Sequence, residues 1–212
     1  WRRRDLKRFY GLAPSGTGKT LIGWFNGRAG LELDAATGET VRRLVGLGGF
    51  YSSPHTDWAL LCRRSFELHR SEELVYRLPR QSFAELSAAF APDQCVISES
   101  GAATRSVSLT SGAEVWRYDP RAGCHVIALD YCQEIDRIVA VEYAYTEEAR
   151  AVSSVVTLLH LTRRGEIALR KPIRPWAEAV VFCAQGTRLL NGLGELYDAR
   201  TGEIEYVFEF PR

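Results

Sequence analysis

Short apolar runs broken by polar, glycine-bearing turns recur along the chain, and residues 21–48 show the pattern most clearly. LIGWF reads as a strand, Asn26-Gly27 is the strongest short hairpin signal, GLELD returns, ATGE turns again and TVRRLVGL forms a third strand. A helix through the same stretch would have to survive Gly23, Asn26, Gly27 and Gly30 within three turns. Upstream, DLKRFYGL has the make-up of a short amphipathic strand.

The strands repeat. Tyr10, Phe50, Phe90, Tyr131 and Phe182 each end a short apolar strand and precede a polar turn: APSGTGK, SSPHTDW, APDQC, CQEIDR and CAQGTR. The anchors are separated by 40, 40, 41 and 51 residues, and a second marker, DAATGE at 34–39 and DARTGE at 198–203, recurs after 164 residues, four periods of 41. Weaker copies of that turn stand at TSGAE, RRGE and RSEE. A period near 40 with four strands per unit predicts an all-β β-propeller of five blades, each a four-stranded antiparallel sheet, as one domain over 1–212. An open blade leaves an unpaired edge, so the N-terminal strand is expected to complete the last blade, putting residues 1–10 and 204–210 in one sheet. The surplus of the fourth repeat is assigned to AYTEEARAVSS, residues 144–154, as a protruding loop and the first candidate contact surface.

With these blades the chain resembles the β-propeller repeat families, both WD40-like and quinoprotein-like (PQQ-like). The D-x-x-T-G-E turn, and an aromatic four residues after its glycine (Trp116 after Gly112, Tyr206 after Gly202), are more similar to the quinoprotein type. Arg42 and Leu169 stand where that aromatic belongs in two repeats, and no Gly-His or terminal Trp-Asp pair appears at blade positions. No adjacent cysteine pair or carboxylate cluster suggests a bound quinone or its metal, so the resemblance implies the fold and not the cofactor.

One motif competes with this reading. APSGTGKT, residues 13–20, fits the relaxed phosphate-loop pattern with Lys19 and Thr20 in the ligand positions, and VIALD, 126–130, fits the apolar run ending in a metal-binding Asp. A phosphate loop needs a buried strand before it and a helix after it, whereas the flanks predict a turn between antiparallel strands. Nucleotide binding is therefore the weakest alternative.

Composition narrows the function classes. At 46% hydrophobic and 25% charged, with 27 basic against 26 acidic residues, the chain is neither disordered nor drawn to polyanions as a whole, and nucleic acid is not an expected partner. No apolar run is long enough to span a membrane, and no signal peptide is evident, so a cytoplasmic protein is expected. Five cysteines without a C-x-x-C pair predict buried free thiols. Arginine heavily outnumbers lysine and alanine is abundant, which points to a bacterial source; without methionine, the natural start is expected outside this sequence.

Candidate chemistry is sparse. The histidines His55, His69, His125 and His160 lack ligand spacing, Glu72-Glu73 and Glu147-Glu148 sit in polar turns, and Cys124 and His125 point to opposite faces of a strand. No catalytic residue, metal or cofactor is expected. A partner-binding surface is predicted at Tyr145, Glu147, Glu148 and Arg150 in the insertion, at His55, Asp57 and Trp58 in SSPHTDW, and at Arg174 and Trp176 in RKPIRPWAE. Trp24, Trp116 and Trp176 are expected to pack between blades. The resulting expectation is a non-enzymatic, protein-binding propeller, a monomer within a hetero-complex, of the inhibitor or immunity type that neutralises a toxin or enzyme. The alternatives are a scaffold subunit of a larger assembly and a binder or enzyme for a sugar or other small ligand in the axial pocket.

Overall fold

The strands form five meanders of four. The computed structural model describes residues 11–15, 18–25, 29–53, 56–71, 73–81, 86–144, 155–173 and 180–208. The first sheet is β1 (Gly11–Pro14), β2 (Thr20–Phe25), β3 (Ala29–Asp34) and β4 (Thr40–Val45); the second is β5 (Gly49–Ser52), β6 (Trp58–Cys62), β7 (Ser65–Arg70) and β8 (Glu73–Pro79). The third is β9 (Leu86–Ala91), β10 (Gln94–Glu99), β11 (Thr104–Ser108) and β12 (Glu114–Tyr118). The fourth is β13 (Cys124–Cys132), β14 (Arg137–Ala144), β15 (Val155–Leu161) and β16 (Ile167–Ile173), and the fifth β17 (Val180–Cys183), β18 (Arg188–Asn191), β19 (Glu195–Asp198) and β20 (Glu203–Val207). Every pairing is antiparallel between sequence neighbours, so the fold is an all-β propeller of five four-stranded blades. Phe50, Phe90, Tyr131 and Phe182 all lie on first strands, as the repeat predicts. Tyr10 and the N-terminal strand expected in the last blade lie outside the described residues; the described part of that blade is β17 to β20.

The described residues of APSGTGKT link two antiparallel strands, β1 and β2. Ser15 N–H donates to the Thr20 carbonyl at 2.9 Å, Gly18 N–H to the Ser15 carbonyl at 2.8 Å, and Gly18 takes a φ of 68°. Lys19 leads directly into β2, a strand rather than a helix, so the positive helix end that a phosphate loop requires is missing at this position.

The recurrent D-x-x-T-G turn joins the third and fourth strands. In three sheets its glycine donates to the carbonyl four residues back, Gly38 to Asp34, Gly112 to Ser108 and Gly202 to Asp198, each at 2.8 or 2.9 Å. The side chain of the turn's first residue accepts the intervening amides: Asp34 those of Ala36 and Thr37, Ser108 those of Thr110 and Ser111, Asp198 that of Arg200. The Arg200 guanidinium and these amides hold the Asp198 carboxyl down at about 2. Just before the turn every third strand carries a register shift, at Glu32/Leu33, Leu68/His69, Ser106/Val107, His160/Leu161 and Leu196/Tyr197. Such a bulge bends the strand and strengthens its twist at one fixed point of each repeat.

The chain divides into two compact units, Trp1–Arg80 with the first two blades and Gln81–Arg212 with the other three. In the first, Ile22 and Leu44 of one sheet meet Phe50 and Leu61 of the next around Leu47. In the second, Val96, Trp116 and Tyr118 pack on Leu129, Ile138 and Leu159, and on the far side Val141, Val156 and Leu158 pack on Leu189 and Tyr197. Trp116 bridges blades as expected: it donates to Gln94 Oε1 at 3.2 Å and lies flat against Gly165 in the next blade's turn. Trp24 packs against the Ile22, Leu44, Leu47, Phe50 and Leu61 cluster between the first two sheets, as expected, and also covers Gly11, its cross-strand partner, where a Cβ would overlap the indole. Trp176 lies outside the described residues. Cys62, Cys95 and Cys132 are buried free thiols, whereas Cys124 is half-buried and Cys183 stands at an exposed position of the alternating β17.

The Trp116–Gly165 contact yields a paired prediction. Gly165 has a φ of 82° and an added methyl would lie 2.8 Å from the indole, whereas Gly101, with a φ of 79°, has nothing within 4 Å. Gly165→Ala should therefore cost about 2–4 kcal/mol in urea unfolding, combining left-handed strain with overpacking, and Gly101→Ala only about 1. Equal losses would mean that the indole does not depend on that glycine.

Candidate functional site

Between the first and second sheets, inside the first unit, the apolar packing is incomplete and leaves a cleft of about 280 Å³. Alternation along the strands sends Ile22, Leu44, Phe50, Ala59 and Leu61 to its floor. Its polar wall comes from the turns and the outer strands: Ser15, Asp57 and Ser71 at one end, Glu32 and Arg42 on the first sheet, His69 and Arg63 on the second.

The register explains why the cleft exists. In the third sheet Ser106 faces Trp116 across the bulge, and Trp116 fills the space up to the next blade's turn at Gly165. The same register positions in the first sheet are Glu32 and Arg42. Arg42 folds back onto its own sheet, its Nε donating to Glu32 Oε2 at 2.5 Å, while Thr20 donates to Glu32 Oε1 at 2.8 Å. Both oxygens of this buried carboxylate are satisfied, as burial demands. The cost is an unfilled junction, with Arg42 on one side and Ser71, the positive-φ residue of the next blade's turn, on the other.

Asp57 closes one end of the cleft. Ser71 donates to it through its hydroxyl at 2.6 Å, and the Ser71 N–H donates to the Asp57 carbonyl at 3.0 Å, so one residue ties together the two turns at this end of the sheet. The Ser71 hydroxyl first, and the Arg70 guanidinium second, hold the Asp57 carboxyl below the usual carboxylate range. Beside the cleft residues Arg63 and His69, the buried Glu67 is approached by Arg63 at 3.6 Å, His69 at 3.5 Å and Arg77 at 3.4 Å.

Of the residues expected to meet a partner, Asp57 lines the cleft. Trp58 is turned away from it, 8% exposed on the other face of β6 and stacked on Tyr76 with centroids 6.2 Å apart. Tyr145, Glu147, Glu148, Arg150, His55, Arg174 and Trp176 lie outside the described residues. The other cleft residues were not candidates for contact, although Ser15, Arg42, Phe50 and Ser71 belong to repeat or turn motifs. Their signal is present only as register: Glu32 and Arg42 stand ten apart across a turn, and a buried Glu opposite an Arg is a weak pattern until the bulge is placed.

A second polar cluster, in the other unit, is closed. Tyr118 donates to the buried Glu142 at 2.7 Å, Arg170 donates to the Tyr118 hydroxyl at 2.7 Å, and burial together with Glu142 pushes the phenol well above its ordinary value. The histidines there are structural: His160 is buried and donates to the Ala199 carbonyl at 2.7 Å, with burial pushing its pKa down, and His125 Nδ1 accepts from Gly101 N–H at 3.1 Å. Among the described residues no three His, Cys, Asp or Glu side chains converge as a metal ion would need, and no helix is long and apolar enough to cross a membrane. Comparison with protein-family models and with curated protein sequences gave no match.

The Asp57–Ser71 contact predicts a titration. A carboxyl with a lowered folded pKa contributes stability that is present above its unfolded value of about 3.9 and is lost as pH falls through the folded value. Ser71→Ala should raise the Asp57 midpoint toward that unfolded value in carboxyl-carbon NMR. An unmoved midpoint would refute the hydroxyl's role.

Proposed function

We propose that the protein is a non-enzymatic binding propeller that captures a protein partner, with the cleft of the first unit taking an apolar side chain of that partner. The observation that carries this reading is the composition of the cleft, five apolar side chains enclosed by Asp57, Arg42, Arg63 and Ser71. Binding hot spots pair this kind of apolar pocket with charged groups at its edge. Within this reading the partner is an enzyme or toxin held inactive, in the manner of an immunity protein. The quinoprotein-like type of repeat is supported by the capped turns at Asp34, Ser108 and Asp198 and by Trp116 and Tyr206. A cytoplasmic setting is supported by five cysteines that are all unpaired.

A second reading places a small molecule in the same cleft. The volume favours it, since about 280 Å³ lies near the lower end of ligand pockets.

Affinity capture from the native host separates these readings. Wild type should retain one stoichiometric partner. Ala59→Trp, which fills the cleft floor, and the double variant Glu32→Ser/Arg42→Trp, which installs the pairing of the third sheet, should each weaken capture about tenfold or more with thermal unfolding little changed. Undiminished capture by both variants would exclude the cleft. A partner that proves to be a structural subunit without enzymatic or toxic activity would exclude the inhibitor role. A bare protein carrying a small molecule in native mass spectrometry would favour the second reading.

A further inference from the structure

Charge is divided unevenly between the two units. Residues 1–80 hold 14 Lys and Arg against 8 Asp and Glu, a net +6, and residues 81–212 hold 13 against 18, a net −5, which together give the chain's +1. Near-neutrality of the whole chain therefore conceals a strongly basic first unit.

Part of that excess is gathered around one recess. The β6–β7 turn presents Arg63 and Arg64, Arg77 comes from β8, and with Val45, Gly46, Ser65 and Glu67 they line a depression of about 580 Å³. Glu67 is the only carboxylate in that lining, and it is shared among Arg63, Arg77 and His69 at 3.4 to 3.6 Å. The Arg63 Nε is buried and makes no hydrogen bond. Arg64 is exposed and has no ion-pair partner among the described residues. Arg80 holds the turn from behind, donating to the Arg63 carbonyl at 3.0 Å with its guanidinium 5.3 Å from the Phe66 ring centre. One buried carboxylate cannot neutralise this set, and forked guanidinium donors are suited to two-point contact with further carboxylates.

We propose that this recess is a docking site for an acidic polypeptide segment. The inference rests on the reading of the protein as a partner-binding module and gives the partner its chemistry. The cations come from a turn and an outer strand along an open depression. That arrangement fits carboxylates spaced along a chain.

The test is titration of the full chain with hexaglutamate and, separately, with pyrophosphate. Hexaglutamate should bind, more weakly as salt rises, and Arg64→Glu and Arg77→Glu should each weaken it about tenfold. Both side chains are exposed, so neither variant should lose its fold. Arg164→Glu, a charge reversal in an exposed turn of the second unit, should leave binding unchanged. Absence of hexaglutamate binding, or an equal loss in Arg164→Glu, would overturn the proposal. So would pyrophosphate binding that is tighter than hexaglutamate and sensitive to Arg64 and Arg77, since the recess would then be a compact-anion site. Failure here alongside partner capture that is still lost in Ala59→Trp would remove the acidic segment and leave the binding-module reading standing.

Discussion

A four-stranded meander cannot bury both of its faces alone, and within each compact unit a sheet borrows cover from its neighbour. In the second unit that cover is continuous: the β11–β12 side of the third blade reaches the fourth through Trp116, and Leu158 with the Lys171 stem lies against Gly202 of the fifth. A glycine at the receiving turn serves twice there, supplying the positive φ and the flat surface on which the neighbour rests. Polar contacts take the same route, Arg163 pairing with Asp93 and Arg200 with Glu134 across successive blades. These exposed pairs add little energy individually; their effect is to fix the relative height of adjacent blades.

Buried charge in this protein is matched locally. Glu32 has Thr20 and Arg42, Glu142 has Tyr118 and Arg170, and Glu195 has Asn191 and Tyr197. Each carboxylate accepts from strands of its own blade or the neighbouring one, so it specifies register where an apolar pair would tolerate slippage. Glu67 differs because Arg63, Arg77 and His69 approach it without a short bond and both arginines remain open to solvent. A matched carboxylate reads as scaffold, and an over-supplied one reads as a surface with remaining capacity for anions.

The blade count was legible because it rests on local chemistry. An aromatic at the end of a first strand and an Asp or Ser capping a glycine turn are choices that each repeat must make for itself, and they survive as short motifs. The cleft was not legible because it rests on register. Asp57 was visible as turn chemistry, but Ser71, Arg42 and His69 reach it from three other segments, and a one-residue bulge decides which of their neighbours face inward. Trp58 illustrates the same point: it adjoins Asp57 in sequence, yet alternation sends it to the opposite face, where it supports β6 against Tyr76. Trp24 has the bulk expected at a junction between blades and packs there, while the bare Gly11 opposite it in the same sheet gives its ring a second surface.

Of the two departures from the repeat aromatic, Arg42 and Leu169, arginine at position 42 has the larger structural consequence, because it leaves a cleft. An aromatic there would do for the first junction what Trp116 does for the third blade, and the two sheets would close. Arginine satisfies Glu32 within its own sheet and withdraws its volume from the junction, while Ser71 replaces the glycine that would have received a ring. The two substitutions are complementary: each would leave a defect beside the ordinary partner, and together they make an enclosed, mixed-polarity cleft without an unsatisfied buried group on Glu32. A scaffold under selection for stability alone would gain more by filling that space, at about 25 cal/mol for each Å² of apolar surface removed from water. An opening at the register position that Trp116 fills in the third sheet is the physical feature on which the proposed binding role rests.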